Sequence, residues 1–130
     1  MSIDYLMIGS NDLTRSRVFY DAVMPHLGAV IADEYEGITF CYKMRDGGRL
    51  WVAKPHNGEA ATPSNGSMPG YVCESEAVVA AAHAAALAHG GSDEGAPGPR
   101  PLYGPDFYGA YVRDPDGNKM SFVFTRASEE

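Results

Sequence analysis

The chain has 130 residues, of which 45% are hydrophobic and 21% charged. That is about one domain of ordinary globular composition, which excludes long disorder and collagen-like structure. The formal net charge of −7 excludes a nucleic-acid binder, which must neutralise phosphates with clustered cations, and argues against anionic membrane surfaces. The same acidity favours a neutral or cationic small molecule as guest. No apolar run approaches the roughly 20 residues of a membrane-spanning helix. Met1-Ser2-Ile3-Asp4-Tyr5 lacks the basic start and apolar run of a secretion signal. Two cysteines, Cys41 and Cys73, make no disulfide framework. The expectation is a cytoplasmic protein with reduced, buried thiols.

Ile3 to Ile8 reads as a strand, and Asn11-Asp12 as the cap of a helix over about residues 13–24. Leu13, Ser16, Tyr20, Val23 and Leu27 share one face of that pattern. Pro25 and Gly28 end it. Strands follow at residues 29–34, 38–44 and 50–53, with a turn at Gly37 and a hairpin signal at Asp46-Gly47-Gly48. Residues 55–67 read as a linker or mobile loop, rich in Pro, Gly and Asn. A strand over 68–73 precedes a helix capped by Ser75 and running to about His89 through an alanine-rich stretch. Gly90-Gly91 stops that helix. Residues 92–105, with four prolines and three glycines, read as mostly loop, with a weaker strand signal around 92–103. Strands at 107–113 and 119–124 flank Asp114-Pro115-Asp116-Gly117, which fits a type I turn. Ala127 to Glu130 reads as a polar tail. The second half repeats the element order of the first.

Strong chemical motifs are absent from the sequence. It contains no phosphate loop, no dinucleotide glycine fingerprint, no nucleophile elbow, no C-x-x-C and no H-E-x-x-H. Asp114 to Asn118 superficially resembles a calcium loop. With Gly117 as its sixth residue, the first and twelfth ligands would be Val112 and Val123, which bind no calcium. His26, His56, His83 and His89 do not pair at metal-ligand spacing. They read as surface or boundary histidines.

Several segments in order carry a resemblance. They are Ile3 to Leu13, Ser16 to Tyr20 with Leu27-Gly28, Ala84 to Gly91, and above all Tyr108 to Lys119. Together they resemble the vicinal oxygen chelate superfamily, which includes glyoxalase I, extradiol dioxygenases, and fosfomycin and bleomycin resistance proteins. The resemblance covers nearly the whole chain. It implies an α+β fold, the glyoxalase/bleomycin-resistance/dioxygenase fold, in which two βαβββ modules form a curled mixed sheet around a pocket. The modules fall at about residues 1–57 and 66–126, within a single 1–130 domain. The resemblance also implies a homodimer.

Enzymes of the superfamily hold a divalent metal with histidine and glutamate from strands one, four, five and eight. Carried onto this chain, those positions fall on Tyr5, on Leu50-Trp51-Val52-Ala53, near Met68, and on Ser121. A thioether and a hydroxyl are poor substitutes for imidazole and carboxylate, so no metal and no other cofactor is expected. The pocket is then expected to be aromatic and polarizable, lined by Tyr5, Met7, Trp51, Met68, Tyr103, Tyr111, Arg113 and Ser121, with Lys119 and Val123 on the same face. Plainer readings stand beside these. Tyr5 and Tyr111 also fit core tyrosines with hydroxyls at the rim, Met7 and Met68 fit gap-fillers, Trp51 fits a dimer interface, and Arg113 fits a brace for the turn.

Three functions follow as expectations. The first is a metal-free small-molecule binding protein acting by sequestration or transport, with no nucleic-acid or membrane partner. The second is an enzyme of the lyase, isomerase or dioxygenase kind, using a metal through other ligands or using Tyr5, Tyr111 or Arg113 without one. The third is a structural or regulatory partner domain whose cavity is filled.

Overall fold

A computed structural model describes residues 3–126; the tail expected from Ala127 to Glu130 lies outside the described residues. Eight strands form two four-stranded mixed sheets, and neither closes into a barrel. In the first, Tyr5–Gly9 (β1) runs parallel to Arg49–Ala53 (β4). Thr39–Lys43 (β3) and Val30–Tyr35 (β2) follow antiparallel, giving the order β1-β4-β3-β2. The second sheet has the matching order β5-β8-β7-β6. Its strands are Gly70–Val72 (β5), Ser92–Pro99 (β6), Phe107–Arg113 (β7) and Lys119–Thr125 (β8). Helix α1 is Leu13–Val23 and α2 is Glu76–Ala88. The α+β class and the repeated βαβββ order expected from the sequence are the ones found. Among the described residues no helix is long and apolar enough to cross a membrane.

Helix α1 starts where Asp12 accepts a hydrogen bond from the Arg15 amide at 3.0 Å, and α2 where Ser75 accepts from the Val78 amide at 3.2 Å. Each side chain satisfies one of the amides that a helix start leaves unpaired. The first helix is one residue shorter than the sequence predicts. Its periodic face continues into a 3₁₀ turn over Met24–Leu27, with Pro25 inside it, so Leu27 still reaches the core. The strand predicted over 68–73 contracts to the three residues of β5.

The larger correction is β6. Its composition predicts mostly loop, yet Ser92–Pro99 pairs antiparallel with β7, through two shifts of register. As an edge strand it has a neighbour on one side only, so its prolines interrupt the ladder at little cost.

One hydrophobic core lies between the helices and the two sheets. From α1 come Phe19, Tyr20 and Val23, from the sheets Phe40, Tyr42, Leu50, Val52, Val112, Met120 and Phe122, all fully or nearly fully buried. Phe19 meets Tyr20 edge-on at 4.8 Å, and Phe40 meets Tyr42 edge-on at 5.7 Å. Large aromatic side chains on α1 are accommodated by small ones on α2, whose buried face is Val79, Ala82, His83 and Ala86. At Gly91 a Cβ would fall 2.7 Å from the Phe19 ring and from the Ala86 carbonyl oxygen. Small residues here are a packing requirement as well as good helix formers.

A polar seam joins the two halves. The Asp114 carboxylate accepts from the Tyr20 hydroxyl at 2.6 Å, and from Asn118 Nδ2 and the Asp116 and Asn118 amides at 2.9 Å. Burial pushes its carboxyl above the ordinary value, while the donated hydrogen bonds pull the other way. Asp116 accepts from the Asn11 amide, Arg15 Nη2 and the Ser16 hydroxyl, each at 2.9 Å. Asn118 also donates to the Gly9 carbonyl at 2.9 Å. The turn that the sequence marks as structural is therefore also the clasp between the second sheet and the start of α1.

Candidate functional site

Each sheet buries one face against the helices and leaves much of the other open, although Cys41, Ala53 and Ser121 on that second face are buried. Alternation decides which residues go where, because successive strand side chains point to opposite sides. Phe40, Tyr42, Leu50 and Val52 point to the core. The register then puts Tyr5, Arg49 and Lys43 side by side on the open face, with Met7, Trp51 and Cys41 in the next row. In the second sheet Val112, Met120 and Phe122 are buried. Tyr111 and Ser121 sit side by side on its open face, and Arg113 beside Lys119.

Tyr5 and Met7 are 56% and 54% exposed, and Val72 on the neighbouring face of β5 is 76% exposed. These are large apolar groups on regular strands, with side chains in solvent. Trp51 and Tyr111 are half-buried, and Met68 and Tyr103 are exposed. Ser121 is buried at 4%; its register neighbour on β5 is Gly70, where a Cβ would lie 3.0 Å from its Oγ.

The eight residues named from the sequence are spread over both sheets, and two of them, Tyr5 and Met7, border different clefts. Tyr5 borders a cleft of about 280 Å³ between β1 and β5, together with Arg49, Pro69 and Tyr71. Met7 borders a smaller one, about 160 Å³, against Lys119, Asn118 and Ser67. Residues of the 55–67 segment thus lie where the open faces of the two sheets meet; Asn11 Nδ2 holds that segment by donating to the Ala61 carbonyl at 2.9 Å. Tyr103 stacks edge-on against Phe107 at 5.4 Å. Arg113 donates to the Gly117 carbonyl at 2.7 Å and lies 3.4 Å from Glu94, so it braces the turn while facing the open side.

Sequence reasoning missed Arg100 and Glu94. Both lie in the stretch that reads as loop, and only the pairing of β6 brings them to the sheet. The Arg100 guanidinium sits over the Tyr111 ring, 5.4 Å from its centre. Lys119 Nζ lies 3.9 Å from Glu94. Burial pushes the Tyr111 phenol above its ordinary value, with Arg100 opposing. Burial likewise raises Cys41, with Arg49 opposing, and raises Cys73 to about 11. The phenol and both thiols are held protonated, as hydrogen-bond donors rather than bases or nucleophiles.

The open faces do not fit the metal of the superfamily. The donors at the aligned positions are a phenol, a thioether and a hydroxyl. Among the described residues, no three His, Cys, Asp or Glu side chains come together as a metal site. His83 is tied to Asp93 at 3.0 Å and His89 to the Ala85 carbonyl at 2.8 Å, both on the helix side.

A cleft of about 650 Å³ lies elsewhere, between α1 and the β2–β3 turn. Arg17, Asp21 and Glu34 in its wall pair with one another. Arg17 meets Asp21 at 2.9 Å and Glu34 at 2.6 Å, and stacks over Phe40 at 5.6 Å.

Comparison with known proteins completes the description. Residues 2–122 match the family model of the Glyoxalase/Bleomycin resistance protein/Dioxygenase superfamily. A crystal structure of a glyoxalase/bleomycin resistance protein from Albidiferax ferrireducens T118 is 36% identical, with a TM-score of 0.84. That alignment covers 95% of this chain and 98% of that one. A glyoxalase-related enzyme from Fulvimarina pelagi aligns at 22% identity and TM-score 0.76, over 96% of this chain and 88% of that one. A lactoylglutathione lyase from Agrobacterium tumefaciens aligns at 20% identity and TM-score 0.67, over 95% and 92%. At such identities the last two speak for the fold alone. No curated protein matches.

Proposed function

The chain belongs to the Glyoxalase/Bleomycin resistance protein/Dioxygenase superfamily, and from that premise we propose that it is a metal-free small-molecule binding protein. Its ligand lies on the open faces of the two sheets, and a second copy of the chain closes over them. The observation that carries this reading is the set of large side chains that the fold holds on the open side of regular strands, Tyr5, Met7 and Val72 exposed and Trp51 and Tyr111 half-buried beside them. Aromatic and thioether groups of this kind suit a flat organic ligand, bound by area and polarizability with few polar handles. They also suit the centre of a protein interface. The exposed apolar groups lie on both sheets.

The chemistry of the face supports binding over catalysis. Tyr111 and Cys41 are held in their neutral forms by burial. Arg100 and Arg113 act on this face as hydrogen-bond donors to backbone carbonyls.

Trp51 is the only tryptophan, and it stands on the open face, so its emission reports occupancy there. Titration with a panel of planar aromatic compounds is expected to quench or shift that emission saturably. Light scattering on the free protein is expected to give twice the chain mass of 13.9 kDa. A panel that leaves the emission unchanged would remove the ligand from this reading. A monomer at tens of micromolar would remove the second copy.

A further inference from the structure

Averaged over the chain, the charge is −7, which is the basis for expecting a cationic guest. The open faces have the opposite sign. Of the ten Lys and Arg residues, Lys43, Arg49, Arg113 and Lys119 occupy open-face strand positions, and Arg100 folds onto the same side. Among the described residues, the acids in ion-pair contact with them are Asp33, 3.4 Å from Arg49, and Glu94, shared by Arg113 and Lys119. Among the described residues, the open-face positions therefore carry more cations than carboxylates paired with them.

Arg100 stands out within the group. Its Nη2 donates to the Ala96 carbonyl at 2.6 Å and its Nη1 to the Pro99 carbonyl at 3.2 Å. It is the one open-face arginine with no carboxylate within ion-pair distance among the described residues. Tyr111 lies against one face of its guanidinium. The glycines of β6 make the arrangement possible. A Cβ on Gly95 would lie 2.9 Å from the Tyr111 ring and 3.3 Å from Arg100 Nη2, and one on Gly98 would lie 3.2 Å from Nη1. Ring and guanidinium thus lie close to bare backbone, with Phe107 and Tyr103 forming a second aromatic pair on the same strand region.

We infer that the Arg100–Tyr111 stack is a recognition plate for a carboxylate carried on a small planar aromatic ligand. Two of the five guanidinium N–H groups are used by the carbonyl oxygens, which fix its plane; three remain for an incoming oxyanion. The carbonyl bonds neutralise no charge, so the cation is left for the ligand. The Tyr111 and Tyr103 rings supply stacking area beside it. This inference rests on the proposed binding function and gives its ligand a class and a sign.

The test uses three probes of one shape on the whole protein: 2-naphthoate, 2-naphthamide and 2-naphthylmethylammonium. Binding is followed by amide shifts at Gly95, Gly98 and Tyr111. The carboxylate is expected to bind about tenfold or more tightly than the other two, the scale of a charge-assisted hydrogen bond. Added salt is expected to narrow that gap. R100Q is expected to abolish the preference, and R100K to keep only part of it, since lysine lacks the planar fork. Equal binding of amide or ammonium at these three residues would overturn the anion preference and leave the open-face ligand standing. Shifts confined to the first sheet would overturn the Arg100 plate. No shift on either open face with any probe would overturn both the plate and the binding function. The wild-type comparison decides the matter even if a variant fails to fold.

Discussion

The two sides of the same sheets use aromatic residues in opposite ways. On the helix side, Phe19, Tyr20, Phe40, Tyr42 and Phe122 are buried, and the hydroxyls among them find partners: Tyr20 on Asp114, Tyr42 on Asp21, both at 2.6 Å. On the open side, Tyr5, Tyr103, Trp51 and Tyr111 stand partly or largely in solvent, beside cations. The first set stabilises the chain on folding. The second adds little to folding, because its area stays wet. What a strand does with an aromatic side chain is settled by which neighbour covers that face.

Substitutions separate the two sides. The largest effect is expected at Phe19, which packs against Tyr20 and fills the space over Gly91. Phe19→Ala is expected to lower unfolding free energy by about 3–5 kcal/mol in a urea titration. A loss below 1 kcal/mol would mean that the helix side is not the core described.

Next comes the seam. Asp114→Ala leaves the buried Tyr20 hydroxyl, Asn118 and two backbone amides without their acceptor. A cost of about 2 kcal/mol or more is expected. In a cycle with Tyr20→Phe the two losses are expected to be non-additive by at least about 0.5 kcal/mol. Strict additivity would show that the 2.6 Å hydrogen bond contributes nothing.

On the open face, Met7→Ser or Val72→Ser is expected to change monomer unfolding by no more than about 0.5 kcal/mol. The same changes are expected to weaken self-association, read by sedimentation. A large folding defect from either would place these residues in the core and end the comparison.

The smallest effect concerns the His83–Asp93 pair. The hydrogen bond from His83, helped by the Gly95 amide, holds the exposed Asp93 carboxyl below its ordinary value. A depressed native value stabilises the fold above the ordinary carboxylate range, and that contribution disappears as pH falls through the depressed value. The stability gap between wild type and Asp93→Asn is therefore expected to be present at neutral pH and to close below about pH 4. A gap that widens in acid would reverse the sign.

Much of the fold is legible in the sequence because local signals agree with it. Asp12 and Ser75 are helix caps, Gly28 and Gly90 are helix stops, and Asp114-Pro115-Asp116-Gly117 is a turn, each for reasons contained within a few residues. The strand β6 is illegible for the converse reason. Glycine and proline remove its own propensity, and β7 supplies the pairing from outside. Of the site, the alternation of β1, β4, β7 and β8 is readable, so Tyr5, Met7, Trp51 and Tyr111 are placed on one side of each strand from sequence. Arg100 is not readable, because a guanidinium folding back over a ring on the neighbouring strand leaves no local periodicity. The sign of the face is unreadable for a similar reason: total charge averages over a surface that the fold sorts into regions.

The most direct test of the central claim, binding without a metal, is elemental analysis. Protein purified without chelators, untagged, is assayed for zinc, nickel, iron, manganese and cobalt, before and after incubation with each. The account predicts far less than one atom per chain in every case, since the open face offers Tyr5, Met68 and Ser121 where imidazole and carboxylate ligands are needed. One tightly held atom per chain that is lost with chelator would contradict it, and would move the protein to the metal-dependent enzymes of its superfamily.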